Sequence, residues 1–247
     1  MANTKAERSP AGDPIYKYEE PKRRWEPVVS ETGFDEQIDA HIAKYVGGSD
    51  TVYHELASDL VHIDVKIVKP STGRNFYTLV TSGMSDLPMR PPEQAKGCEF
   101  AELLICLPAD WPLDQSDFQE ERNYWPIQTL KFLARFPHKY DTWMWWGHTI
   151  PNGDPPQPLA DNTELCGIIL APPILFPAGF FQLEIDEAKT IHFFNVLPLY
   201  IEEMNFKLQK GVDDLFDLFD QHRITPVVDL RRPNVCKKSR RPFRMKR

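Results

Sequence analysis

The chain has 247 residues, 41% of them apolar, enough for one substantial core or for one domain with ordered arms. Its net charge of −7 conceals a split. Residues 231–247 hold nine Lys or Arg and no acid, leaving 20 basic against 36 acidic residues elsewhere, a net of −16. An acidic body repels nucleic acid, whose binding rests on phosphate contacts, so only the basic tail is suited to that role. No apolar run approaches the ~18 residues that a membrane span requires, and no apolar h-region marks a secretory signal. Cys98, Cys106, Cys166 and Cys236 show neither C-x-x-C pairing nor zinc-like spacing with His, which fits a reduced cytoplasm. The 23 prolines argue for many loops and against a bundle of long helices.

Residues 1–27 mix charge, Pro and Gly with few aliphatics, the composition of a flexible arm. Phe34, Ile38, Ile42, Tyr45 and Val46 then follow helical spacing, with Thr32 or Asp35 placed to cap and Gly47-Gly48 to stop the helix. Val61, Ile63, Val65 and Ile67 alternate with His62, Asp64 and Lys66, the period of a strand with one buried face. After a turn over 70–75, Phe76–Thr81 reads as the returning strand of a hairpin. A strand over Glu99–Leu107 carries adjacent apolar residues, which predicts cover on both faces. Pro126 is expected in the first turn of a helix that Pro137 stops near Phe136. Leu165–Leu170 reads as a strand, and Phe180–Ile185 pairs with Thr190–Val196 around a turn at 186–188. Pro198 is expected to open a helix, Gly211 separates it from a second, and Pro226–Asp229 makes a last short strand. The pattern predicts an α+β domain over residues 28–230, a mixed, mainly antiparallel sheet flanked by helices, with the basic tail over 231–247.

The most distinctive stretch is Tyr140–Gly167. Trp143, Trp145 and Trp146 precede Gly147-His148 and a turn at Pro151-Asn152-Gly153-Asp154, whose residues tolerate special backbone angles. In an extended segment Trp143 and Trp145 share a face and Trp146 points the other way. Aromatic residues beside a rigid polar loop suit contact with another molecule better than turnover. Three enzymatic readings compete with that. His54, Asp59, His62 and Asp64, with His148 and Asp154, make a candidate metal-dependent hydrolase site. Against it, no H-e-x-x-H-type spacing is present, and Lys66 places a cation where a ligand is wanted. Gly83-Met84-Ser85-Asp86-Leu87 lacks the second Gly of a nucleophile elbow. Gly47-Gly48 follows a helix instead of opening one, so no phosphate-cradling loop exists.

Several segments taken together are similar to one family. They are Tyr53-His54-Glu55 with Ser58-Asp59-Leu60-Val61-His62-Ile63-Asp64-Val65; Phe76 through Asp86; Ala101-Glu102-Leu103 with Leu107-Pro108; and Tyr124-Trp125-Pro126-Ile127 with Leu133-Ala134-Arg135. Gly147-His148-Thr149-Ile150, Pro198-Leu199-Tyr200 with Glu203, and Arg232-Pro233-Asn234-Val235-Cys236-Lys237 complete the series. In this order the chain resembles the suppressor of fused family, specifically its single-domain bacterial members. The resemblance implies a non-enzymatic, cofactor-free α+β domain that binds, sequesters or inhibits a partner protein. Toxin neutralisation as an immunity protein is the role proposed for bacterial relatives. Animal members resemble two-lobed clamps that grip an extended peptide as an added strand; this chain ends after the first lobe, so that clamp is not expected here. The expected partner is a basic toxin or a regulatory protein, with no membrane involved. The expected contacts are Trp143, Trp145, His148, Asn152 and Asp154, with Met84 and Asp86 from the other motif loop.

Overall fold

A computed structural model describes residues 7–19, 33–49, 51–53 and 61–237. In chain order the elements begin with β1 (Glu7–Arg8), β2 (Pro14–Ile15), α1 (Asp35–Tyr45), β3 (Thr51–Tyr53), β4 (Asp64–Val68) and β5 (Phe76–Ser82). They continue with β6 (Phe100–Pro108), α2 (Glu121–Tyr140), β7 (Thr149–Pro151), β8 (Gly167–Ala171) and β9 (Gln182–Glu184), and close with β10 (Thr190–Leu199), α3 (Ile201–Lys210) and α4 (Val212–Gln221). The main sheet runs β3-β4-β5-β6-β10-β8-β7, with β9 also on β10. Among the described strands only β6 and β10 pair in parallel, in register from Ile191↔Phe100 to Asn195↔Leu104; their other pairings are antiparallel. This is the mixed, mainly antiparallel α+β arrangement that the sequence predicts.

The alternation of side chains along the strands sorts the core into layers. Odd positions of β6, Ala101, Leu103, Ile105 and Leu107, meet Trp125, Ile127, Leu130 and Leu133 of α2. Even positions, Leu104 and Cys106, meet Ile38 and Ile42 of α1 together with Phe176, Phe180 and Phe193. On β8 the same rule sends Ile168 and Leu170 toward α2, while Ile169 packs with Met204, Leu215 and Phe219 of α3 and α4. Gly167 belongs to that contact: a Cβ there would lie 2.3 Å from Met204 Sδ.

Several expectations are corrected by packing. β4 is covered on both sides, not one. Lys66, 1% exposed, turns under α1 and pairs at 2.7 Å with both Asp35 and Asp39, four residues apart on one helix face. Asp35 is thereby spent on Lys66 and on Ser82 Oγ (2.8 Å) and does not cap the helix, whose N-cap is Phe34; Thr32 lies outside the described residues. α2 starts at Glu121, so Pro126 sits beyond the first turn, and Pro137 is accommodated inside the last turn. The helix ends instead at Asp141, in the left-handed region at φ 54°. Pro198 belongs to β10, opposite Ile168, and α3 opens three residues later. Pro226–Asp229 forms one bridge, Val227 beside Cys106, instead of a strand.

Residues 7–19, within the arm expected to stay flexible, fold as a β1–β2 hairpin that docks on α3 through Ala11 N–H to Leu208 O (3.1 Å) and Lys207 to Asp13 (3.0 Å). Among the described residues no helix is long and apolar enough to cross a membrane.

Candidate interaction surface

Trp143 and Trp145 are partly buried against the α2-side core; Trp145 meets the rings of His192 and Phe194 edge-on at 4.7 and 4.9 Å, and Trp143 meets His148 at 4.8 Å. Trp146, 41% exposed, is the indole that faces out. Gly147 (φ 80°) then turns the chain into β7, close under Val212 of α4. His148 is largely enclosed. Its Nδ1 accepts from Trp145 N–H (3.3 Å), which requires an unprotonated nitrogen, and burial lowers its pKa to about 4.

β7 is the last strand of the sheet. Its bonds to β8 fix which backbone groups turn outward: Gly147 N–H to Leu170 O (2.7 Å), Leu170 N–H to His148 O (3.0 Å) and Asn152 N–H to Cys166 O (2.8 Å). Antiparallel pairing alternates sides, so Thr149 presents both N–H and C=O away from β8, whereas Pro151 has no N–H and its C=O already accepts from Gly153 N–H (3.0 Å). Among the described residues no strand pairs with that side. The Pro blunts the edge without closing it.

Beside this edge lies a groove of about 220 Å³, floored by Ile150, Leu159 and Ile168 and walled by Thr129, Phe132 and Leu133 of α2. Phe132 is 47% exposed. Small-molecule sites usually run to about 300–1,000 Å³, so this one is sized for a single large side chain. Its far wall is the Asn152 loop. The Asn152 side chain donates to Gln157 O (3.0 Å) and Pro158 O (2.9 Å), which stiffens the loop, and Gly153 takes the positive φ of 92°. Asp154 is exposed at the tip, and Glu121 stands at the groove's α2 end.

The other predicted residues sit elsewhere. Met84 is fully buried. Its carbonyl accepts from His138 Nε2 (2.9 Å). Asp86 is half-buried near Gly33; burial raises its pKa, opposed by the charge of Lys189. His62 and Asp64 share a face as expected, Nε2 to Oδ1 at 3.0 Å, but His54 and Asp59 lie outside the described residues. Among the described residues no group of three His, Cys, Asp or Glu is placed to hold a metal ion.

What the motif stretches do build are two buried clasps. Glu102, 0% exposed, accepts four bonds from the end of β5 and the turn after it: Thr81 Oγ1 (2.6 Å), Gly83 N–H (3.0 Å), Ser85 N–H (3.0 Å) and Ser85 Oγ (2.7 Å). The β5–β6 ladder stops at Val80↔Leu104, and beyond it the Thr81 hydroxyl takes the place of a backbone acceptor for Leu103 N–H (2.8 Å). Lys189 closes the turn through Ser85 O (2.7 Å) while its ammonium stacks on Phe34 and Phe100.

The second clasp joins Glu203 of α3 to Arg232, both guanidinium nitrogens reaching the carboxylate at 2.6 and 2.5 Å. Arg232 also donates to Pro198 O (2.9 Å), and Glu203 accepts from Tyr200 N–H (3.0 Å) and Val235 N–H (3.3 Å). The stretch from Arg232 to Cys236, assigned from sequence to the tail, therefore belongs to the body. A lone Glu inside the apolar run FAELLICL was a legible signal for the first clasp. For the second, Glu203 and Arg232 both stand in the motif series that carries the family resemblance, but nothing in their spacing shows that they pair.

An open strand edge beside a groove of mixed polar and apolar lining, on a scaffold held by buried clasps, fits a protein-interaction module. A family model described as Suppressor of fused protein (SUFU) matches residues 59–233, most of the chain, which therefore belongs to the suppressor of fused family. The fold is similar to that of a suppressor of fused homolog from Neisseria gonorrhoeae FA 1090, with TM-score 0.61 and 19% identity over 83% of this chain and 98% of that one. It is also similar to a chain in the Sufu–Fu complex, with TM-score 0.57 and 14% identity over 82% and 91% of the two chains. Drosophila Suppressor of Fused matches with TM-score 0.53 and 12% identity over 81% of this chain but only 50% of its own length. No curated protein sequence matches.

Proposed function

We propose that this protein holds an extended segment of a partner protein along β7 and thereby sequesters or inhibits it. The observation that carries this reading is the outward Thr149 N–H and C=O beside a groove sized for one large side chain. An added strand bonds through its backbone and drops alternate side chains into whatever pocket lies beside the edge. His148, Asn152 and Asp154 frame this surface, with Trp143 and Trp145 behind it as support and Trp146 at its margin. Met84 and Asp86 act on it only through the fold. The solved Sufu–Fu complex supports protein binding as the general activity of this architecture.

The partner class that suits the chain best is a basic protein. The body excluding residues 231–247 carries a net charge of −16, Glu121 lines the groove, and the exposed Asp154 follows Gly153 of its lining. Opposite charge speeds encounter and rejects acidic competitors. A cationic toxin, whose activity would be blocked by the complex, is one specific form of this reading. The test is affinity purification of the full chain from its source cells at low salt, run beside Phe132→Asp. A stoichiometric basic partner retained by the unaltered chain and lost by Phe132→Asp is expected. Equal recovery by both proteins, or recovery of an acidic partner indifferent to salt, overturns the proposal.

A further inference from the structure

The N-terminal hairpin is anchored on one face of the sheet and its outgoing segment on the other. At one end, Asp13 pairs with Lys207 of α3 at 3.0 Å, and α3 packs on the face carrying Ile169. At the other end, Tyr18 reaches the C-terminal turn of α2, on the face carrying Ile168 and Leu170. Its hydroxyl bonds Thr142 Oγ1 (2.8 Å), and its ring lies 5.2 Å from both Phe136 and Tyr140. Five residues span at most about 17 Å, so the segment has to take a short route round the sheet margin. Thr142, which holds the Tyr18 hydroxyl, precedes Trp143, whose ring meets His148 at 4.8 Å, so the Tyr18 end of that route lies near the start of β7. Phe136 in turn touches Phe132, the exposed wall of the groove, at 5.8 Å.

We infer that residues 13–18 form a tethered strap across the start of β7 at His148, next to the partner groove. A partner strand running the whole of β7 must therefore displace Tyr18 from its Phe136–Tyr140 seat. The inference rests on the proposed strand-addition surface and adds two things to it: competition from within the chain, and the chemistry of the competitor. The displacing segment is extended and carries an aromatic side chain that takes over the Tyr18 seat, as Pro14-Ile15-Tyr16-Lys17-Tyr18 does in cis.

The strap is built to let go. Tyr16 and Tyr18 are 50% and 37% exposed. The added pair Lys17–Glu7 is largely solvated, which makes it a weak tie. Beyond β2 the segment makes no ladder bonds among the described residues.

The probe is a fluorescein-labelled peptide with the sequence of residues 9–19, titrated by fluorescence anisotropy into the full chain and into the full chain carrying Asp13→Ala and Tyr18→Ala. A tethered copy acts at an effective concentration on the order of millimolar. The peptide should accordingly bind the double variant at least about tenfold more tightly than the unaltered chain. Hydrogen exchange of residues 145–150 should quicken in the double variant and slow again when peptide is added. Equal binding to both proteins overturns the strap, as does no binding to a double variant whose circular dichroism and melting match the unaltered chain. Peptide binding without renewed protection at 145–150 overturns the placement at β7. Because the probe seats on Phe136 and Tyr140, these outcomes are separable from the Phe132→Asp capture result that judges the groove itself.

Discussion

Replacing Glu102 by Leu removes the acceptor that organises the turn after β5, and the consequence can be worked from its four donors. Thr81 Oγ1 can turn to Leu103 O, already 3.3 Å away, and the Ser85 hydroxyl can rotate. The Gly83 and Ser85 N–H groups are fixed by the backbone and have no second partner within reach among the described residues. Each orphaned buried donor costs about 1–3 kcal/mol. Relief of the desolvated carboxylate offsets part of this, leaving a net loss of about 3–4 kcal/mol from the ~5–15 kcal/mol typical of a domain.

Glu102→Gln keeps one carbonyl oxygen for Gly83 and Ser85 and places its amide against Thr81, so its cost should be about 1 kcal/mol. Urea denaturation at pH 7, followed by tryptophan fluorescence, reads both. With a slope of about 2–3 kcal/mol/M the Leu variant should lose at least about 1 M in midpoint and the Gln variant less than half that, at unchanged slope. A Leu variant within 1 kcal/mol of the unaltered chain, or a Gln variant as damaged as Leu, would show that the motif is not held by this carboxylate.

Three further outcomes follow from the same geometry. Gly83→Ala puts a Cβ 2.0 Å from His62 O at a φ of 117°, so the turn cannot keep its shape; a loss of at least about 2 kcal/mol in the same urea assay is expected, and a neutral result would contradict the left-handed turn. Arg232→Ala leaves the fully buried Glu203 carboxylate unpaired, a loss of about 3–5 kcal/mol, and limited trypsin digestion should then cut C-terminal to residue 223 far faster than in the unaltered chain. The third concerns pH. Folding favours neutral His148, so its contribution is complete above about pH 6.5 and is lost as pH falls toward 4, at most about 3 kcal/mol before solvent screening. Burial lowers His41 and His138 in the same direction, whereas it raises Glu102 and Asp86, which act oppositely. His148→Gln should therefore flatten the stability profile between pH 6.5 and 4, as measured by urea midpoints at half-unit steps. An unchanged slope would mean that the ring is not held neutral.

Periodicity alone determined the longer strands and helices, though not the short β1, β2, β3 and β7, because burial against any partner leaves the same imprint: Ile38 and Ile42 one turn apart, Val61 to Ile67 alternating, Phe100 to Leu107 apolar on both sides. It also identified the aromatic segment and the rigid loop of Asn152, where Gly and Pro constrain the chain locally. What it could not determine was which neighbour each residue meets. Lys66 reads as an outward cation until α1 brings Asp35 and Asp39 above it. Arg232 reads as tail until Glu203, 29 residues away in sequence, closes on it at 2.5 Å. Pro126, Pro137 and Pro198 read as boundaries because the lost N–H is a local fact, while the packing that overrides it is not. The proposed interaction surface is the most tertiary feature of all. Thr149 offers its backbone only because β7 falls at the end of the sheet, and Phe132 forms a groove only because α2 lies across from that edge. No property of either residue taken alone encodes their meeting.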